Sequence, residues 1–144
     1  MEQNKVNSIP RLIMGIGHHL KMRMNEKLSQ HNLTISQVKV LAYLWEHDKQ
    51  KINQKVIHEF LEIKPSSLTK SIRLLQQKDL ISTETDLRDS RNKIIKLTEK
   101  GMEIKRICLK NITESETYLL QDFSQQEIKI LTELLLKIKK KIKH

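Results

Sequence analysis

Apolar residues recur at helical spacing through Ile9, Leu12, Ile13, Ile16 and Leu20, and Pro10 suits the first turn of such a helix. One amphipathic helix is therefore predicted, running towards Gln30. The next start lies in LTISQVKVL, where Thr34 and Gln37 have capping-box spacing and Leu33 and Val38 can form a hydrophobic staple around them. That helix runs to about Glu46. Asn53 can cap a short third helix whose apolar face is Val56, Ile57, Phe60 and Leu61. After a break over Glu62 to Lys64, Pro65 opens a fourth helix, PSSLTKSIRLLQQK, with Leu68, Ile72 and Leu75 along one side. At about 100° per residue, Ser66, Lys70, Arg73 and Gln77 fall on the opposite side and make a polar, basic stripe.

Beyond Leu80 the period changes. LISTET and KIIKLT read as the two strands of a hairpin around the polar loop DLRDSRNK, Asp86 to Lys93. Thr98 caps a helix from Glu99 to about Leu120, with Ile104, Ile107, Leu109, Ile112 and Leu119 as its apolar positions. Phe123, Ser124, Glu127 and Ile128 form a second capping box with a staple, opening a last helix through Leu131, Leu135, Ile138 and Ile142. The closing KIKKKIKH is a charge-rich helix end whose lysines suit the C-terminal dipole.

Length and charge narrow the class. A chain of 144 residues is long enough for one domain with a real core. With 38% hydrophobic, 31% charged and 3% aromatic residues, it reads as a soluble, mostly helical globular protein. The formal charge of +10 points to a polyanionic partner, because each phosphate neutralised by Lys or Arg releases a condensed counterion. Nucleic acid fits best. An acidic membrane surface is the rival, but no apolar run approaches the roughly 18 residues of a spanning helix. The N-terminal MEQNKVNSIPR lacks the pattern of a secretory signal, and a cytoplasmic location is expected.

Site chemistry for catalysis is sparse. Cys108 is the single cysteine, which leaves neither a disulfide framework nor a cysteine-based zinc site, and it reads as a small core hydrophobe. His18 and His19 are adjacent, and no histidine pair at i, i+4 spacing can share an ion, so no metal site is predicted. There is no glycine-rich phosphate loop and no recognisable nucleophile and base pair, so neither an enzyme nor a cofactor is expected.

A short helix, a tight break and a second helix with a basic outer face have the shape of a helix-turn-helix, whose second helix enters the major groove. An ordinary helical hairpin with a solvated face would share that pattern. A β-hairpin directly behind it makes a winged helix, and arginines at the hairpin tip can reach the narrow, negative minor groove. In these residues the sequence resembles the multiple-antibiotic-resistance regulator (MarR) family of bacterial transcription factors. LTISQVKVL is similar to the family's second helix, and VIHEFLEIKPSSLTKSIRLLQQKDLI to its helix-turn-helix. The Asp-x-Arg-Asp-x-Arg loop running into IIKLTEKG resembles its wing and the start of the next helix.

The resemblance implies an α+β, mainly α fold: a winged helix-turn-helix whose N- and C-terminal helices form a homodimer interface. Residues 1–34 and 99–144 would dimerise and residues 35–98 would bind DNA. The implied function is a regulator, as a repressor, that binds a pseudo-palindromic duplex operator and is released by a small ligand. Ser66, Ser67, Thr69, Lys70 and Arg73 are the candidates for major-groove or phosphate contact. Arg88, Arg91 and Lys93 are the wing contacts, with Asp86 and Asp89 holding the arginines and the loop in shape through charge-assisted hydrogen bonds. A small aromatic or apolar effector would sit near Met14, His18, His19 and Tyr43; a redox trigger at Cys108 is the other route. The chain departs from the family at His58, where a small residue is usual, at Glu62 and Asp79, where glycine is common, and at Arg73, where an acid is frequent. The alternative from another class is a helical interaction module whose basic face binds an acidic protein.

Overall fold

The computed structural model describes residues 7–143. The first six residues and His144 lie outside it, and with them much of the stretch read for a secretory signal and the outer ends of the 1–34 and 99–144 regions. The elements are α1 (Ile9–Ser29), α2 (Ile35–Glu46), α3 (Gln54–Leu61), α4 (Pro65–Gln77), β1 (Ile81–Thr85), β2 (Lys93–Leu97), α5 (Glu99–Leu120) and α6 (Gln125–Ile142). This is the mainly helical winged-helix architecture that the periodicity and the resemblance predict. None of the described helices is long and apolar enough to cross a membrane.

Local chemistry explains where the helices start. Thr34 and Ser124 each accept from the backbone of the residue three positions on, and the Gln37 and Glu127 side chains bond back, completing both capping boxes. Asn53 caps α3 by accepting from Val56 N–H at 2.9 Å. The helix ends are as well defined. After α1, Leu33 N–H reaches Leu28 O and Asn32 N–H reaches Ser29 O; after α4, Leu80 N–H reaches Leu75 O and Asp79 N–H reaches Gln76 O. Both are Schellman closures, which need a left-handed residue, here Asn32 at φ 56° and Asp79 at φ 58°.

The chain divides into two compact units between Cys108 and Leu109. In the first, Val40, Leu41 and Leu44 of α2, Ile57 of α3 and Leu68 and Leu75 of α4 are fully buried in one cluster with Ile52 and Cys108. The antiparallel hairpin pairs Ile81 with Leu97 through Thr85 with Lys93, and Ile94 and Ile95 turn inward. Ile95 N–H also donates to Ile52 O at 2.7 Å, which ties β2 to the segment before α3. Trp45 Nε1 donates to Gly101 O at 2.9 Å and fixes the start of α5 against α2.

Two details of packing differ from the helical periodicity. On α3 only Ile57 is fully buried and Leu61 is partly so, whereas Val56 and Phe60 are exposed, Phe60 by 62%. Val56 and Phe60 form the stripe about 100° away from Ile57 and Leu61, and an eight-residue helix presents only one of these stripes to the core. Phe60 instead lies against Tyr43, with ring centroids 4.8 Å apart, and Tyr43 stacks on His47 at 4.3 Å. The apolar stripe of α1 also stays uncovered: Ile9, Leu12, Ile13, Ile16 and Leu20 are exposed, and only Leu28 is buried. In the second unit α6 has no buried residue and exposes Ile130, Leu131, Leu134 and Leu135.

Candidate nucleic-acid interface

The turn between α3 and α4 starts at Glu62, which holds the left-handed conformation at φ 54° while its N–H reaches His58 O at 3.0 Å. The His58 ring spans the same turn, with Nδ1 donating to Ile63 O at 2.6 Å. The larger residue thus supplies a donor to a turn carbonyl. Pro65 then begins α4 with its φ already suited to the first turn.

With Leu68, Ile72 and Leu75 drawn into the core, the opposite face of α4 is exposed at Ser66, Ser67, Thr69, Lys70 and Arg73. Thr69 is less free than its exposure implies. Its hydroxyl donates to Pro65 O at 2.9 Å and accepts from Gln54 Nε2 at 2.7 Å, so it joins α3 to α4. Further along, Gln76 Nε2 donates to Thr83 Oγ1 at 3.1 Å and links α4 to β1.

The loop between the strands is organised by its two aspartates. Asp86 Oδ1 accepts from Arg88 N–H and Asp89 Oδ1 from Arg91 N–H, both at 3.0 Å, which makes two successive Asx turns. The acids therefore grip the backbone of the arginines. Among the described residues no ion pair joins either guanidinium to a carboxylate, and Arg88, Arg91 and Lys93 are all exposed. The Arg88 N–H and the Asn92 side chain beside Asp86 hold its carboxyl below the usual carboxylate range, keeping it ionised as an acceptor.

Between the wing and the start of α3 lies a groove of about 550 Å³ lined by Asn53, Gln54, Lys55, Asp89, Arg91, Asn92 and Lys93. Its three cations outnumber its one acid. A smaller recess of about 200 Å³ runs between α4 and the hairpin past Thr69, Arg73, Gln76 and Lys93. Lys93 and Gln54 line both, so Arg91 and Lys93 of the hairpin and Thr69 and Arg73 of α4 share one basic stretch of the first unit, whereas Ser66, Ser67, Lys70 and Arg88 line neither recess. Periodicity marks Asn53 only as a helix cap and gives no signal for Gln54 or Asn92, because the partners that bring them into this surface, Thr69 and Asn53, lie 15 and 39 positions away.

The candidate effector residues are arranged differently. Met14, His18 and His19 are exposed along α1, Met14 by 75%, and the two histidine rings contact each other edge to face at 5.6 Å. Tyr43 is buried, and its aromatic neighbours are His47 and Phe60. Cys108 is 1% exposed in the core, and burial pushes its thiol pKa up, which favours the protonated form. Among the described residues no group of three or more His, Cys, Asp or Glu side chains is placed to hold a metal. Lys78, at the end of α4, reaches back to the α1–α2 corner, where its ammonium donates to Asn32 O and, at 2.7 Å, to Gln37 Oε1; burial pulls its pKa down.

Comparison with known proteins places this geometry. Residues 23–107 match the family described as transcriptional regulator SarA/Rot. The HTH-type transcriptional regulator MgrA of Staphylococcus aureus is 32% identical over 114 residues, covering 79% of this chain and 75% of that one. The S. aureus MepR–DNA complex superposes with a TM-score of 0.82 at 26% identity, covering 96% of this chain and 99% of that one. MarR from E. coli shares the fold with a TM-score of 0.76 at 24% identity, covering 91% and 96% of the two chains. The family match thus runs from within α1 through the helix-turn-helix and wing into α5, and the chain belongs to the SarA/Rot family of MarR-type winged helix-turn-helix transcriptional regulators.

Proposed function

We propose that this regulator binds a pseudo-palindromic duplex DNA operator as a homodimer, acts in the cytoplasm as a repressor and is released by a small aromatic or apolar ligand. The observation that carries the reading is the wing: both aspartates bond to backbone, so the Arg88 and Arg91 side chains stand exposed, with Arg91 in a basic groove against the start of α3 and Lys93 in the recess that Arg73 of α4 lines. Such an arrangement suits α4 in a major groove, through Ser66, Ser67, Lys70 and Arg73, and the wing in the adjacent minor groove. Thr69 would act there mainly by holding α3 against α4. Likeness to MepR captured on DNA supports the same use of the fold. Residues 35–98 would then carry DNA binding, with 1–34 and 99–144 supplying the dimer contacts.

The uncovered apolar stripes of α1 and α6 support the homodimer, since each side chain fully buried against a copy contributes roughly 1.5–3 kcal/mol. An interaction module for an acidic protein gives no reason for two Asx turns that present arginines at a hairpin tip. Effector release would proceed through a ligand near Met14, His18, His19 and Tyr43 that favours a non-binding spacing of the recognition helices, so ligand and operator weaken each other reciprocally. The test is titration of an operator, recovered by genome-wide mapping of bound DNA, with Arg91→Ala and Lys70→Ala. Each variant should stay folded and lose about 1–3 kcal/mol of operator binding if its contact is specific. Undiminished affinity in both at moderate salt contradicts the proposal.

A further inference from the structure

The wing is joined to the helix-turn-helix by a directed chain of side-chain amides. Asn53 Oδ1 is committed to Val56 N–H, so its nitrogen faces Asn92 and donates to Asn92 Oδ1 at 2.9 Å. That leaves the Asn92 nitrogen facing Asp86, where it donates to Oδ2 at 3.2 Å. A backbone N–H at one end can only donate and a carboxylate at the other can only accept, so turning either carboxamide over sets like against like. The direction of the chain is therefore fixed at both ends.

The hairpin needs such a tie, because two strands alone are marginal in water. Its lower half is held by buried Ile81, Ile94 and Ile95, by the Ile95 to Ile52 backbone bond and by Gln76 on Thr83. The loop from Asp86 to Asn92 lacks any buried apolar residue, and Leu87 is fully exposed. Lys51 Nζ stands 4.0 Å from Asp86, at the outer limit of an ion pair, which leaves the Asn53–Asn92 bond as the close link, among the described residues, from this loop to the helix-turn-helix.

We propose that Asn53 is a positioning residue for DNA binding: the side chain that starts α3 also sets the angle at which the wing arginines stand beside the recognition helix. This rests on the reading of the wing as a DNA contact. The discriminating variant is Asn53→Ser, which keeps a good N-cap but is too short to reach Asn92. Its thermal midpoint should stay close to wild type while operator affinity falls about three- to tenfold, the scale of one lost hydrogen bond. In an Arg91→Ala background the same substitution should have little further effect, whereas with Lys70→Ala the losses should add. Asn92→Ala, which leaves the cap untouched, should behave the same way and serves if the serine variant folds poorly. Wild-type affinity in Asn53→Ser or Asn92→Ala, or an undiminished loss in the Arg91→Ala background, overturns the proposal. Wild-type affinity in Arg91→Ala alone overturns instead the reading of the wing on which it rests.

Discussion

Glu62 and Asp79 are side-chain-bearing residues at positions where the backbone is left-handed, at φ 54° and 58°. That conformation brings Cβ close to the carbonyl oxygen and costs a residue with a side chain about 1–2 kcal/mol. Both residues use only backbone atoms to close their helices, so Glu62→Gly and Asp79→Gly should each raise stability by about 1 kcal/mol in urea unfolding. Gly101 is the opposite case: an added Cβ would stand 2.0 Å from Leu80 O, in the backbone just before β1. Thr98 holds that approach by donating to Asp79 O at 2.6 Å and accepting from Gly101 N–H at 3.0 Å. Gly101→Ala should therefore cost about 3 kcal/mol or more, read by the same unfolding curves, with loss of the Trp45 to Gly101 bond visible in the indole fluorescence. Asp86 gives the pH dependence. Its folded pKa lies below its ordinary 3.8, chiefly through the Arg88 N–H and then Asn92, so its hold on the wing is complete above about pH 3.8 and is lost as pH falls through the lower folded value. The Arg88 amide resonance should titrate with a midpoint below 3.8, and Asp86→Asn should abolish that midpoint.

Elements that depend on near neighbours are legible in the sequence. Thr34 with Gln37, Ser124 with Glu127, and Asn53 mark three helix starts because a cap and its partner sit three residues apart. Pro65 and the change of period beyond Leu80 likewise mark α4 and the hairpin. What stayed hidden is how elements are tied to each other. Asn53 finds Asn92 at a separation of 39 positions and Lys78 finds Gln37 at 41, and neither pairing leaves a mark on local spacing. Thr69 illustrates a different limit. Helical geometry puts it on the outer face of α4, but only the position of α3 reveals that Gln54 occupies its hydroxyl. Periodicity also overstated α3, since Val56 and Phe60 follow the helical repeat yet face away from the core. The wing aspartates show the same distinction at the candidate site: their pairing with the arginine segments is readable, but that they hold backbone and leave the guanidinium groups exposed is not.

At the scale of the whole molecule, a net charge of +10 and the uncovered apolar stripes belong to one account, in which two copies join and place two basic helix-turn-helix units on one duplex. In that account the charge would supply affinity for any duplex, and the pairing of two units would supply the preference for a site with matching half-sites. Hydroxyl-radical footprinting on the mapped operator tests that account most directly, because the reagent cuts from the minor groove, where the wings are proposed to lie. The pattern predicted is a twofold-symmetric set of protections whose half-site centres lie about 10–10.5 base pairs apart or at a multiple of that spacing, with the outer protections lost in Arg91→Ala. A single asymmetric patch, or an outer pattern that Arg91→Ala leaves intact, would contradict it.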